Sequence, residues 1–412
     1  MDGVLYPQMQ KNIVDFQDNA TLMEKQLASH RYLQIEQERF EKAQVEPKGN
    51  NWDFAGLRII QRQYSTHFFH HYTAKFIPQI PQNIIKQYAK PGGIIFDPFL
   101  GSGTTLVEAR LQRHTSCGIE VNPLGEKIAK AKVTPIDFNL VRTLIGWLEK
   151  KQIEYEKIGE VQLFEDSQLW FRKDVAFKIK NIVEAIADFD EDTKNFVEIG
   201  LSDNLKGMSN ALMHRTLPTL PKNSTYVDRK HYDRIVDNET RNIDVYGRVA
   251  NQLQKMCFAL DFLLLRDGRT PATPILGDSR NVIELLNEKG IEEVNVTVTS
   301  PPYWNAQNYQ ELHSLSIKLF KLKFPKFKEI GRDKESYLKD MDLIISKLAQ
   351  IMKGTFAFVV GEDKSEDKYH KKLHELICSR GFSPIKSIRR EITNQVGFTK
   401  SIPHEYIYIF KI

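Results

Sequence analysis

Ile94-Ile95-Phe96-Asp97-Pro98-Phe99-Leu100-Gly101-Ser102-Gly103-Thr104-Thr105 is the stretch that decides the fold. Its first three residues form a short apolar run after Pro91-Gly92-Gly93, which predicts a buried strand, and the run stops at Asp97-Pro98 where a glycine loop begins. Glycines at 101 and 103 allow a tight turn and a close approach of backbone to a ligand. Residues 106–114 (LVEARLQRH) then read as a helix, whose first N–H groups have no partner within it. Residues 116–121 (SCGIEV) read as a second buried strand. Strand, glycine loop, helix, strand predicts the opening of a doubly wound parallel sheet, an α/β fold.

The loop is not a Walker phosphate loop, because the Gly-Lys-Ser/Thr end is absent, and it lacks the G-x-G-x-x-G spacing of dinucleotide binders. Glu120 closes the second strand, where a carboxylate accepts hydrogen bonds from ribose hydroxyls or is simply a polar strand end. A second informative segment, Thr299-Ser300-Pro301-Pro302-Tyr303-Trp304, ends a strand carrying Val294, Val296 and Val298. Two prolines stiffen the backbone where it leaves the sheet; they lack N–H groups but keep their carbonyls, so the loop presents acceptors. Ser300 adds a hydroxyl and Tyr303 a flat face for stacking a base. An amine on an aromatic ring fits such a loop; a proline-rich recognition motif or a plain turn is the alternative.

Outward from these segments the chain divides into an N-terminal helical arm (1–50), a first α/β half (51–137), a mainly helical insertion (138–272) and a second α/β half (273–412). At 412 residues, 41% hydrophobic and 27% charged, it has the composition of a folded α/β protein with room for an added lobe. No apolar run approaches the roughly 20 residues of a membrane span, so no membrane partner is expected. Three scattered cysteines make no disulfide framework, and with no secretory signal pattern the expected location is the cytoplasm. The His67, His70 and His71 cluster lacks carboxylate or cysteine companions and predicts packing rather than a metal. The net charge of +5 suits a phosphate backbone but does not by itself imply one. Within the insertion, residues 222–232 mix basic, amide and aromatic side chains, the types that contact phosphates and base edges, or form a solvated polar loop.

Together, the DPFxGSGTT and SPPY strings resemble the amino-methyltransferases of DNA, the N4-cytosine and N6-adenine family. Gly277-Asp278-Ser279 looks like the Gly-Asp element of that family, and residues 71–78 look like the segment preceding its glycine loop. The resemblance implies a Rossmann-like methyltransferase sheet carrying an inserted, mainly helical target-recognition lobe. It also implies S-adenosyl-L-methionine as cofactor. Lys75, Asp97, Pro98, Phe99, Gly101, Ser102, Gly103, Thr104, Glu120 and Asp278 would then hold that cofactor. Ser300, Pro301, Pro302 and Tyr303 would hold and orient the target amine. Double-stranded DNA would be the partner, touched by Lys222, Arg229, Lys230 and Trp304. A cognate restriction endonuclease or another defence-system partner would be a separate chain.

Attack by the amine would be direct: none of the cysteines lies in these motifs, which argues against the cysteine-nucleophile route of C5-cytosine methylation. Serine at 300 resembles the N4-cytosine branch, whereas the cofactor loop preceding the Pro-Pro loop is an order found among adenine enzymes. N6-adenine methylation therefore stays open, as do methylation of RNA or of protein glutamine, and a non-catalytic DNA-binding subunit. The last of these predicts damaged loops, and both loops are intact in sequence.

Overall fold

The computed structural model describes residues 20–49, 51–73, 75–151, 159–212, 215, 217–220, 242–267, 270–302, 309–324, 330, 333–362, 369–392 and 404–412. Seven strands form one sheet: β1 Ile95–Asp97, β2 Ser116–Glu120, β3 Ala272–Leu276, β4 Val294–Thr299, β5 Met352–Gly361, β6 Ser383–Glu391 and β7 His404–Lys411. Their spatial order is β3-β2-β1-β4-β5-β7-β6. The pairings from β3 through β5 are parallel, and β7 runs antiparallel to both β5 and β6. The order reverses beside β1, so the loops after β1 and β4 leave adjacent strands at the carboxyl edge, the place where ligands bind in sheets of this kind.

The sheet is buried on both faces, which is why its strands read as nearly continuous apolar runs. On one face Phe96, Ile119, Ile275, Phe356 and Phe358 pack with Tyr337, Met341, Ile344, Ile345 and Leu348 of a helix spanning Lys334–Ile351. On the other, Ile95, Val296, Val298, Ala357 and Val359 meet Trp52, Phe54, Ile80, Ile84 and Ile85. The edge strand β6 has only Ile388 and Arg390 buried, and the sequence did not single it out.

In chain order the helices used below are α1 Ala20–Ala43, α2 Gln79–Tyr88, α3 Thr104–Leu111, α4 Pro123–Val133, α5 Phe138–Lys150, α6 Lys173–Ala185, α7 Glu191–Met208, α8 Val245–Asp267, α9 Val282–Asn287, α10 Ser314–Leu319, α11 Lys334–Ile351 and α12 Tyr369–Ser379. Between residues 138 and 267 the described residues are mainly helical, and include α5 to α8. The core of these helices is continuous with the first α/β half: Val197, Leu201, Leu253 and Leu260 are buried in one cluster with Leu106, Ile128 and Ala129. A buried ion pair between Arg110 of α3 and Asp267 at the end of α8 ties the two further. The boundary near residue 137 is therefore a change of local structure, not a break in packing. The N-terminal arm is likewise docked at its end, where Phe40 meets Tyr64 and Phe262 edge-on or tilted at 5.8 and 6.0 Å. Among the described residues no helix is long and apolar enough to cross a membrane.

Candidate active site

The glycine loop has the backbone its sequence demands. Gly101 and Gly103 stand at φ +54° and +82°, a region that favours residues without a Cβ. A Cβ at Gly103 would also lie 2.8 Å from that of Ala129, so α4 packs directly on the turn. Asn122 caps α4 by accepting from the Leu124 N–H at 3.0 Å, with Pro123 at the first helical position. That cap holds the end of β2, and with it Glu120, against the loop.

Glu120 is buried and accepts from the Gly101 N–H (2.6 Å) and the Asn122 N–H (2.8 Å). Burial pushes its pKa up to about 7, against the pull of these two N–H groups. A carboxylate has about four acceptor sites, so two remain for other donors. On the far side of the turn, the ammonium of the fully buried Lys132 donates to the Ser102 carbonyl at 2.8 Å, and burial drives its pKa far down. Lys75 has an exposed stem, but its ammonium turns inward to the His67 carbonyl (3.1 Å), and burial there lowers its pKa to about 8.

Asp97 is the hinge of the site. One carboxylate oxygen accepts from the Thr299 hydroxyl (2.6 Å) and the Phe99 N–H (3.0 Å), the other from the Thr105 hydroxyl (2.6 Å). It is buried, and desolvation raises its pKa to about 6 although all three bonds oppose that rise. Both of its oxygens thus serve the protein: Asp97 joins β1, α3 and the last residue of β4, immediately before Ser300. Pro98 follows as an acceptor for the Ser279 hydroxyl, bringing the Gly277–Ser279 turn to the same edge. Asp278 accepts from the side chain of Arg280, which also reaches Asp340 of α11 at 3.2 Å.

Ser300 is half-buried, Pro301 buried and Pro302 half-buried, all just beyond β4. The Pro302 carbonyl accepts from the Tyr337 hydroxyl at 2.7 Å. Of the residues singled out from the sequence, Asp97, Pro98, Phe99, Gly101, Ser102, Gly103, Thr104, Glu120, Asp278, Ser300, Pro301 and Pro302 therefore line one edge of the sheet. Tyr303, Trp304, Lys222, Arg229 and Lys230 lie outside the described residues.

All three histidines are hydrogen-bonded; His67 and His70 are buried, whereas His71 is exposed. His67 meets Glu108 at 2.7 Å, and burial lowers the imidazole and raises the carboxyl to about 8, which keeps the pair uncharged near neutrality. His70 meets Ser202 of α7 at 2.9 Å, and His71 meets Asp203 at 2.7 Å. Among the described residues no group of three His, Cys, Asp or Glu side chains is placed to hold a metal ion. Sequence reading placed Tyr72 in the 71–78 segment but gave it no role; its ring stacks on His313 (5.2 Å, 6°) and would lie 3.7 Å from a Cβ at Gly101. Sequence reading missed Lys132, Thr299 and Tyr337, each of which acts through a contact distant in sequence.

The chain is 28% identical over 295 residues to the Type II methyltransferase M.MvaI of Kocuria varians, covering 66% of this chain and 62% of that protein. It is 24% identical to the Type II methyltransferase M.MjaII of Methanocaldococcus jannaschii, covering 88% of this chain and 83% of that protein. Residues 6–131, which contain the glycine loop and Glu120, match the N6/N4 methyltransferase family, described as DNA methylase. That match, two Type II methyltransferases as relatives, and a glycine loop beside a Ser-Pro-Pro loop support a likeness of this chain to the N6/N4 DNA methylases.

Proposed function

We propose that the protein transfers a methyl group from S-adenosyl-L-methionine to the exocyclic N4 amine of cytosine in double-stranded DNA. The observation that carries this reading is the Asp97–Thr299 bond, which sets the glycine loop and the Ser300-Pro301 acceptors side by side.

The residues present fit the cofactor. Ser102 Oγ, Thr73 Oγ1 and His313 Nε2 are buried polar atoms without a protein partner, on segments that adjoin the glycine turn or stack on its neighbour Tyr72. Buried polar atoms of this kind require a partner, and an amino-acid end with its ammonium and carboxylate offers several. Glu120 would take the ribose hydroxyls on its remaining acceptor sites, Asp278 would face the adenine, and Lys75 and the 101–104 backbone would hold the methionine end. When bound, the cofactor supplies an electrophilic sulfonium methyl.

An aromatic amine is a poor nucleophile because its lone pair is delocalised into the ring. The Ser300 hydroxyl and the Pro301 carbonyl would accept its two N–H bonds, hold the nitrogen pyramidal and direct its lone pair toward the methyl. Acceptors fixed in advance where charge develops cost no reorganisation during reaction. The target base must leave the duplex to reach them, a cost of a few kcal/mol offset by stacking, for which Tyr303 is the proposed partner. The proposed target-recognition role falls to the 138–272 segment, with Lys222, Arg229, Lys230 and Trp304 as DNA contacts.

Digestion of unmethylated genomic DNA to nucleosides after incubation with enzyme and cofactor tests the base. N4-methylcytosine is expected, consistent with serine at 300, and N6-methyladenine would keep the chemistry but replace the base. The Glu120 assignment carries its own test. Accepting from both ribose hydroxyls requires the ionised form, so cofactor affinity should rise as pH climbs through about 7, where this carboxyl loses its proton. In Glu120→Gln that rise should vanish and affinity should fall about tenfold, the scale of one or two hydrogen bonds to a charged group. A variant that keeps the wild-type pH profile in calorimetric titration removes Glu120 from the ribose.

A further inference from the structure

We propose that Tyr337 and Thr299 are positioning residues that pin the amine loop at its two ends. This rests on the reading of Ser300 and Pro301 as the amine acceptors. The loop has few free torsions. The rings of Pro301 and Pro302 fix both φ angles, and a residue that precedes proline is confined to extended ψ, which restricts Ser300 and Pro301. The Ser300 φ and the ψ of Pro302, which precedes a tyrosine, are the torsions that covalent structure leaves open. The second sets the direction of the Pro302 carbonyl, the group that accepts from the Tyr337 hydroxyl at 2.7 Å. At the other end, the Thr299 hydroxyl donates to Asp97 at 2.6 Å.

Tyr337 is built to hold such a position. It is 1% exposed. It stands in the first turn of α11, one residue after the two N–H groups, of Glu335 and Ser336, capped by the Asp333 side chain at 3.0 and 2.9 Å. Its ring meets that of Tyr369 edge-on at 5.3 Å. Through Asp340 and Arg280 the same helix reaches the Asp278 turn, so α11 sets the register of both the amine loop and the Gly-Asp element. Without a hold at Pro302 the stiff segment would swing about the Ser300 φ and carry the acceptors with it, and displacements of an ångström cost up to about a hundredfold in rate.

The test is Tyr337→Phe, which deletes one hydroxyl and keeps the ring. Single-turnover methyl transfer to duplex DNA, the cofactor dissociation constant and the unfolding midpoint are measured together, with Ser300→Ala as companion. Turnover is expected to fall about tenfold, with cofactor affinity and unfolding midpoint close to wild type. Thr299→Val, which is isosteric, is the second variant and should likewise slow turnover more than it weakens cofactor binding, with some loss of unfolding midpoint because buried Asp97 loses one of its hydroxyl donors. Wild-type turnover in Tyr337→Phe, with Ser300→Ala slow, overturns the pin and leaves the amine loop standing. Turnover, affinity and unfolding falling in proportion show a purely structural tyrosine and also overturn it. Undiminished turnover in Ser300→Ala removes the reading on which the pin depends.

Discussion

Asp97→Ala is expected to lower the unfolding free energy by about 2–4 kcal/mol and to weaken cofactor binding at least about tenfold. The carboxylate is buried and satisfies three donors, two threonine hydroxyls and a backbone N–H, that lie on three different segments. Deleting it leaves those donors buried without a partner, at about 1–3 kcal/mol each before relaxation. The loss falls where β1, α3 and β4 converge, so the glycine turn and the amine loop both lose their reference point. Asp97→Asn keeps one acceptor oxygen and should recover part of the stability. Chemical denaturation and calorimetric titration of the two variants separate these effects. An alanine variant with wild-type stability and affinity would remove Asp97 from the centre of the site.

Ser300→Ala should have the opposite profile. Turnover is expected to fall about a hundredfold, the scale for losing one preorganised hydrogen-bonding group at a reacting centre, while the cofactor dissociation constant stays within about twofold. The residue is half-buried just beyond β4. On the proposed reading, removing its hydroxyl would leave the target amine one acceptor, the Pro301 carbonyl. Rapid-quench kinetics with saturating DNA and cofactor reads the chemical step directly. A loss shared between turnover and cofactor affinity would place Ser300 among the cofactor contacts instead.

Much of the fold was legible because the sheet is covered on both faces: β1, β2, β4, β5 and β7 are dense apolar runs bounded by turn residues. The two loops were legible because glycine at positive φ and paired prolines leave strong local signals. The edge strand β6 carries only Ile385 and Ile388 as aliphatics among charged and small residues, and half of it faces water, so it gives no run to read. Lys132 lies in a helical KIAKAKV pattern that reads as a solvated face; only the packing of α4 under the glycine turn buries it. Thr299 and Tyr337 read as a strand end and a helical core aromatic, and their bonds to Asp97 and Pro302 span 202 and 35 residues of sequence. The helical segment after residue 137 invited a separate lobe, yet α7 and α8 share one core with α3 and α4, since their apolar stripes face inward onto them.

The central claim is that the two loops form one site for methyl transfer to a base amine in DNA. Its most direct test is the fate of label from S-adenosyl-L-methionine carrying a tritiated methyl group, offered to the enzyme with duplex DNA, RNA and protein together and followed to the modified atom by mass spectrometry. Label is expected in duplex DNA alone, on an exocyclic nitrogen. Label on carbon 5 of cytosine, or in RNA or protein with none in DNA, would contradict it.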